Sequence, residues 1–196
     1  MPNFRHRRKH NALRINGIGA SPNLPPNVFF FTFVPMEYRI GQGYDVHALA
    51  EGLPMWLGGV RIESSTGFVA HSDGDVALHA LCDAMLGALA MGDIGHHFPD
   101  NSDEWKDVDS KLLLAKVRDL IAAEGWTVGN ADITIALQAP KIARYVPEMR
   151  RTIAEVLGIE ADRVSVKATT TERLGFVGRG EGCEVWAVVL LTKTSS

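Results

Sequence analysis

The stretch EYRIGQGYDVH, Glu37 to His47, decides how the rest of the chain is read. It reads as a strand, and in a strand residues i and i+2 lie on one face. Asp45 and His47 therefore project together from an otherwise apolar neighbourhood. Such a pair is either an ordinary hydrogen-bonded couple or two-thirds of a metal site.

Outward from that strand the chain parses into further elements. PMWLGGVRI, from Pro54, is a strand interrupted or turned at Gly58-Gly59. HSDGDVALHALCDAMLGALAMG opens with cap-type residues and is predicted to run as a helix to Gly92. SKLLLAKVRDLIAAEG is a second helix: Leu113, Val117, Leu120 and Ile121 form a stripe, and Gly125 sits at its stop. ADITIALQ alternates Ile133, Ile135 and Leu137 with polar residues at strand period. VPEMRRTIAEVLG is a third helix, begun by Pro147 and stopped by Gly158. RVSVKAT is a strand with Val164, Val166 and Ala168 on one face, and CEVWAVVLL closes the chain as a buried strand. Strand, strand, helix, helix, strand, helix, strand, strand is a compact α/β domain.

Composition narrows the function classes. The 196 residues are 46% hydrophobic and 22% charged, an ordinary globular balance sufficient for one core. Cys82 and Cys183 are too few for a disulfide framework and lack C-x-x-C spacing, so a reducing compartment is expected. The longest apolar runs, Val28 to Val34 and Trp186 to Leu191, fall far short of a bilayer span, so no membrane partner is expected. A formal charge of -3 and no basic stripe in the body argue against nucleic acid. The charge is uneven. Residues 1–36 carry Arg5, Arg7, Arg8, Lys9 and Arg14 with no acid, and beyond them 15 basic residues against 23 acids leave -8. This leader, with its breaker cluster SPNLPPN, is set apart from a single domain over residues 37–196. It is read as a disordered extension, as the consequence of a start upstream of Met36, or as an organelle transit peptide. The first two readings leave the protein cytoplasmic; the last would send it to a plastid.

His79 in the first helix brings a second imidazole, with Asp75 four residues before it and Asp83 four after. Asp45, His47 and His79 make a carboxylate plus two imidazoles, the ligand set of a catalytic zinc site with an open fourth position. Asp75 or Asp83 would then orient the ring of His79. The spacing fits equally a polar helix face, with Asp45 and His47 bonded to backbone. A second polar constellation is VKATTTERLGFVGRGEG, where three threonines and Glu172 follow a strand and Arg179 sits among glycines. Hydroxyls and unpaired amides at a strand end suit phosphate oxygens, and a glutamate among them suits a hard divalent cation. A solvated turn accounts for the same residues. Lys141 in LQAPKIA lies just past another strand. His71 and Ser72 stand where a helix start would bind an anion or simply cap itself.

RIGQGYDVH (from Arg39), AHSDGDVALHAL (from Ala70), GDIG with FPD, QAPK, and VKATTTE with GRGEG together resemble the 2-C-methyl-D-erythritol 2,4-cyclodiphosphate synthases. These are the cyclising enzymes of the non-mevalonate isoprenoid pathway. The segments keep the family's order and spacing from Arg39 to about Lys193. The resemblance implies a ferredoxin-like mixed-sheet α/β protomer, three of which pack their sheets around an axis as a homotrimer. It implies that Asp45, His47 and His79 hold zinc, and that His71 and Ser72 hold substrate phosphates. Asp93 and Gly95 correspond to ribose-binding positions. Phe98, Pro99, Asp100, Asn101 and Ser102 correspond to a loop over the methylerythritol. Leu137, Gln138, Ala139, Pro140, Lys141, Ile142 and Ala143 correspond to a pocket enclosing cytosine. Thr169, Thr170, Thr171 and Glu172 correspond to the diphosphate and second-metal site, magnesium or manganese. Phe176 and Arg179 fall near the trimer centre, where an isoprenoid diphosphate would bind with Arg179 as its anion partner. Departures are minor: Gln42 replaces a frequent histidine, His96-His97 fill variable positions, and Cys183 replaces an aliphatic residue.

The implied substrate is 4-diphosphocytidyl-2-C-methyl-D-erythritol 2-phosphate, whose 2-phosphate attacks the β-phosphorus and expels CMP. His71 and Thr170 would meet the charge that develops. A zinc-dependent phosphohydrolase would use the same ligands but needs a base to activate water. A noncatalytic module binding isoprenoid diphosphates would not require the metal triad.

Overall fold

A computed structural model describes residues 36–99 and 108–194; residues 1–35, 100–107 and 195–196 lie outside it, and with them nearly all of the basic leader. β1 spans Met36–Glu51, longer than the quoted stretch, and its alternate residues face opposite ways. Gly41, Gly43, Asp45 and His47 share the inward face. Tyr38, Ile40, Tyr44 and Val46 share the outward one and are exposed.

The turn at Gly58-Gly59 is a hairpin. β2 (Met55–Leu57) pairs antiparallel with β3 (Val60–Ile62) through two glycines at φ 62° and 77°, the mirror-image turn that glycine alone makes without strain. The hairpin is a small sheet of its own rather than part of the main one. β4 (Thr66–Phe68), too short to carry a readable period, adds to the far end of β1.

Helix α1 spans Val76–Ala88, starting just after Asp75 among the cap-type residues and ending short of Gly92. Its start is set by Asp75, whose side chain accepts from the amides of Ala77 and Leu78. Its end is set by Leu89, followed by positive φ at Ala90 and Gly92. All of α1 except Asp83 and Gly87 is buried, as suits a helix enclosed on every side. A short α2 (Ile94–His97) precedes α3 (Ser110–Ala123), whose buried stripe is Leu113, Leu114, Val117 and Ile121, with Leu120 at its edge. α4 (Val146–Leu157) has Pro147 in its first turn and Gly158 at φ 70° beyond its last, as the sequence indicated.

The remaining strands are β5 (Thr127–Ala136), β6 (Val164–Thr169) and β7 (Gly182–Thr194), with a short α5 (Gly175–Gly178) before β7. The main sheet runs β4-β1-β7-β5-β6, antiparallel throughout except for β5 and β6. The mixed α/β class is as expected, but the connectivity is not ferredoxin-like. A ferredoxin-like chain has a hairpin between its second and third long strands. Here α4 lies between β5 and β6, and a parallel pair requires such a crossover. Local periodicity carries no strand direction, so the sequence left this open.

β1 and α1 approach each other unusually closely. A Cβ at Gly41 would lie 1.8 Å from the Ala84 carbonyl oxygen, and one at Gly43 would lie 2.0 Å from that of Ala80. Only glycine lets the helix backbone rest on the strand there. Gly43→Ala is therefore expected to lower stability by at least the ~1–3 kcal/mol typical of overpacking, because the obstacle is backbone rather than a movable side chain. Urea denaturation of the two proteins measures this directly.

Candidate metal centre

The inward face of β1 runs from its packing glycines to its polar end, and α1 crosses just where that change occurs. His79, next to Ala80, is thereby set against Asp45 and His47. Asp45 Oδ2 lies 3.1 Å from His47 Nε2 and 3.2 Å from His79 Nδ1. All three donor atoms fall within 4.8 Å of one another, and among the described residues no other His, Cys, Asp or Glu cluster does this. His47 Nδ1 is 3.1 Å from the Gly74 carbonyl, which can only accept, so that nitrogen carries the proton. The neutral ring then turns the lone pair of Nε2 onto a carboxylate oxygen. Two electron-rich atoms so placed call for a cation between them, and one carboxylate with two imidazoles is a zinc donor set. The residues fit the ion.

Burial alone would raise the Asp45 carboxyl, but the pull of the two imidazoles in their protonated forms prevails and holds it well below the usual carboxylate range. Burial likewise opposes charge on His47; its bond to Asp45 outweighs this and pushes its pKa up. Both buried thiols are pushed up by burial, Cys183 included although it pairs with His47 across the strands, so neither is a ready thiolate ligand.

Asp75 and Asp83 do not orient His79. Asp75 is wholly buried and spends its carboxylate on the amides of Gly58, Gly59, Ala77 and Leu78. Asp83 accepts from the amide of Ile94, 2.8 Å away. The i±4 argument fails because Asp75 is the cap, outside the helix, where its side chain curls back over the amides. The partners of His79 Nε2 are instead Ser110 Oγ at 3.0 Å and Ser72 Oγ at 3.2 Å. Ser110 was read only as a helix start. Nothing in its local pattern announces a neighbour 31 residues away.

The triad forms one wall of a cleft of about 370 Å³ that also includes His71, Ser72, Gly95 and Phe98. His71 and Ser72 do not sit on the amides of α1, since the capping carboxylate of Asp75 already occupies them; they stand in the preceding turn, facing the cleft. Asp93 caps α2 by accepting from the His96 amide, and Pro99 is exposed; Asp100, Asn101 and Ser102 lie outside the described residues.

The other candidates gather elsewhere. Leu137, Gln138, Pro140, Lys141, Ile142, Ala143, Thr169 and Thr170 surround a second cleft of about 170 Å³, which shares no residue with the first. Ala168, expected on the core face of its strand, is exposed and lines this cleft, while Ala139 is exposed beside it. Thr170 donates to Glu172 Oε1 at 2.9 Å, and Thr171 donates to the Leu174 carbonyl. Glu172 and Arg173 have φ of 53° and 66°, a left-handed pair that ordinary side chains rarely adopt and that concentrates at ligand-binding turns. Glu172 is exposed and does not join the triad. Phe176 packs beside Gly182, and Arg179 is held by Glu181 through contacts of 2.7 and 2.9 Å.

A mixed-sheet α/β chain with a carboxylate–bis-imidazole centre and a separate threonine-rich cleft is the class that these features define. The YgbB family model matches residues 38–192, and the chain belongs to that family. It is 52% identical over 158 residues to the 2-C-methyl-D-erythritol 2,4-cyclodiphosphate synthase of Bacteroides fragilis, covering 81% of this chain and 99% of that protein. It is 57% identical over 160 residues to the synthase of the same name from Xanthomonas oryzae, covering 82% and 98%. Among solved structures, a bifunctional IspDF from Campylobacter jejuni superposes with TM-score 0.79 at 42% identity, over 82% of this chain and 44% of that one. A CDP-bound form of 2C-methyl-D-erythritol-2,4-cyclodiphosphate synthase superposes at 0.73 and 37%, over 78% and 99%. The resemblance read from the motifs therefore holds. No helix among the described residues is long and apolar enough to cross a membrane.

The shifted pair makes the metal-free chain pH-sensitive in a defined window. The lowered Asp45 stabilises the fold above the unfolded carboxyl value of about 4, and that contribution is lost as pH falls through its folded value. The raised His47 stabilises it below about 6.5, and that contribution is lost as pH rises through its folded value. The gap in urea midpoint between the metal-free chain and His47→Gln should be widest between about pH 4 and 6.5 and narrow above. Cation affinity runs the other way, because a ligating imidazole must be neutral. Chelator competition across the same pH range measures that rise.

Proposed function

We propose that this chain converts 4-diphosphocytidyl-2-C-methyl-D-erythritol 2-phosphate to 2-C-methyl-D-erythritol 2,4-cyclodiphosphate and CMP; its relatives' names give the cyclodiphosphate as their product. The observation that carries the proposal is the convergence of Asp45, His47 and His79 beside His71 and Ser72 in one cleft. The nucleophile is the substrate's own 2-phosphate, an anion already, so no side chain need be deprotonated to attack. The obstacles are repulsion between two phosphates and the freedom of a flexible chain.

Each group then has a task. Asp45, His47 and His79 hold zinc, which when bound supplies Lewis-acid polarisation of a phosphoryl oxygen. His71 and Ser72 bind phosphate oxygens beside it. Glu172, a lone carboxylate among threonines, suits magnesium or manganese, ions that share their shell with water and substrate phosphate. Thr170 and His71 stabilise the charge that develops at the reacting phosphorus. The second cleft takes the cytidine diphosphate end, in keeping with the CDP in two relatives' structures. Asp93 and Gly95 contact the ribose, and Phe98 to Ser102 cover the methylerythritol. Holding the ends together is worth up to about 7–11 kcal/mol of the barrier in the best cases.

The two clefts face different neighbours in a homotrimer, so that each active site is built between chains. Two observations support this reading. Their linings are disjoint on one chain, and the sheet face opposite the helices exposes Tyr38, Ile40, Tyr44, Val46, Trp186 and Val188. Exposed apolar area of this kind marks an interaction surface. The trimer centre is the place for an isoprenoid diphosphate on Arg179, whose guanidinium Glu181 engages in the single chain. The protein acts in the cytoplasm, or in a plastid if residues 1–36 are a transit peptide.

Phosphorus NMR of the products tests the reaction. Cyclic diphosphate with CMP is expected, and free phosphate would identify a hydrolase instead. His79→Ala should lose its zinc and its turnover while staying folded. Glu172→Gln should keep zinc, lose turnover, and regain part of it in excess magnesium. The shared site has its own test. Co-refolding equal amounts of these two variants should restore activity to roughly a quarter of all sites, because each site draws on two chains of a closed ring. Mixed trimers, seen by mass spectrometry, that stay inactive would place both halves of the site on one chain.

A further inference from the structure

We propose that Asp73 and Ser110 are positioning residues of the metal centre, locking His79 in the tautomer that offers Nδ1 to the cation. The inference rests on the metal reading of the Asp45, His47 and His79 triad. It follows from counting protons. Ser110 is wholly buried at the first residue of α3. Its amide donates to Asp73 Oδ2 at 3.0 Å, and its hydroxyl donates to Asp73 Oδ1 at 2.5 Å. A hydroxyl has one proton, and this one is committed to a group that only accepts. Ser110 Oγ can then only accept from His79 Nε2, 3.0 Å away. The ring proton therefore sits on Nε2, and the lone pair on Nδ1 faces Asp45.

Without this dyad the opposite tautomer is favoured. Asp45 Oδ2, 3.2 Å from Nδ1, would draw the proton there. Ser72, whose Oγ takes the Gly74 amide and lies 3.2 Å from Nε2, has a hydroxyl proton free to donate to an unprotonated Nε2. That arrangement satisfies every hydrogen bond and blocks the ligand atom. Asp73 is well fixed to prevent it: its amide donates to the Val108 carbonyl and its Oδ1 also accepts from the Asp75 amide. The dyad thus ties the start of α3 to the ligand on α1.

The test uses the full chain with labelled histidine. In metal-free protein, at a pH where the ring is neutral, nitrogen NMR should find the proton of His79 on Nε2. In Ser110→Ala it should move to Nδ1, and zinc affinity, read by competition with a chromophoric chelator, should fall about 10–100-fold, as for other partners that orient ligating imidazoles. Cooperative thermal unfolding of that metal-free variant should show that it folds, at a lower temperature than the parent because buried hydrogen bonds are lost. A parent ring protonated on Nδ1 overturns the proposal, even if Ser110→Ala does not fold. So does a Ser110→Ala protein that keeps both the Nε2 proton and the parent's affinity. A parent that binds no zinc but holds the Nε2 proton would sink the metal reading and leave the dyad's control of the tautomer standing.

Discussion

The contact between two glycines of β1 and two alanine carbonyls of α1 is the constraint on which the candidate site depends. Gly41 and Gly43 admit the backbone of α1 to distances at which no Cβ fits. Because the strand repeats every two residues, the same face continues from those glycines to Asp45 and His47. Because the helix axis is pinned at Ala80 and Ala84, His79 cannot be anywhere but beside them. One element supplies the close approach and two of the candidate ligands, and spacing along a single strand keeps them in register.

Asp75 secures the second dimension of that arrangement. A fully buried carboxylate would be costly alone, and burial together with Asp73 pushes its pKa up against the opposing backbone amides. Four amides from two segments converge on it, joining the β2-β3 turn to the start of α1. The turn between β4 and α1 is thereby held in place, carrying His71, Ser72 and Asp73, and it presents the Gly74 carbonyl to His47. Two residues that line the cleft and the imidazole partners thus come from one short turn whose ends are both anchored.

How much of this was legible depends on the range of each signal. The strand at Glu37 to His47, the stripe of α3, and the Pro147 and Gly158 boundaries of α4 were readable because they rest on local backbone chemistry. The C-terminal end of α1 was overrun to Gly92 because Leu89, Ala90 and Met91 carry no breaker, whereas the helix stops at Ala88. β4 escaped notice because three residues show no period and its pairing to Leu49, Ala50 and Glu51 is non-local. The orienting partner of His79 was sought on its own helix, whereas it arrives from the start of α3.

The sequence by itself determined the longer elements, the residues whose chemistry suits a cation or a phosphate, and, through five motifs, the family. Residue chemistry and short-range period are properties of the chain, and they survive without coordinates. Tertiary structure alone decided the strand order β4-β1-β7-β5-β6, the crossover that makes β5 and β6 parallel, and the separation of two clefts on one chain. It also decided which atoms of His47 and His79 face Asp45. Those outcomes depend on groups far apart in sequence meeting at about 3 Å, a distance set by packing and hydrogen-bond geometry rather than by any local pattern.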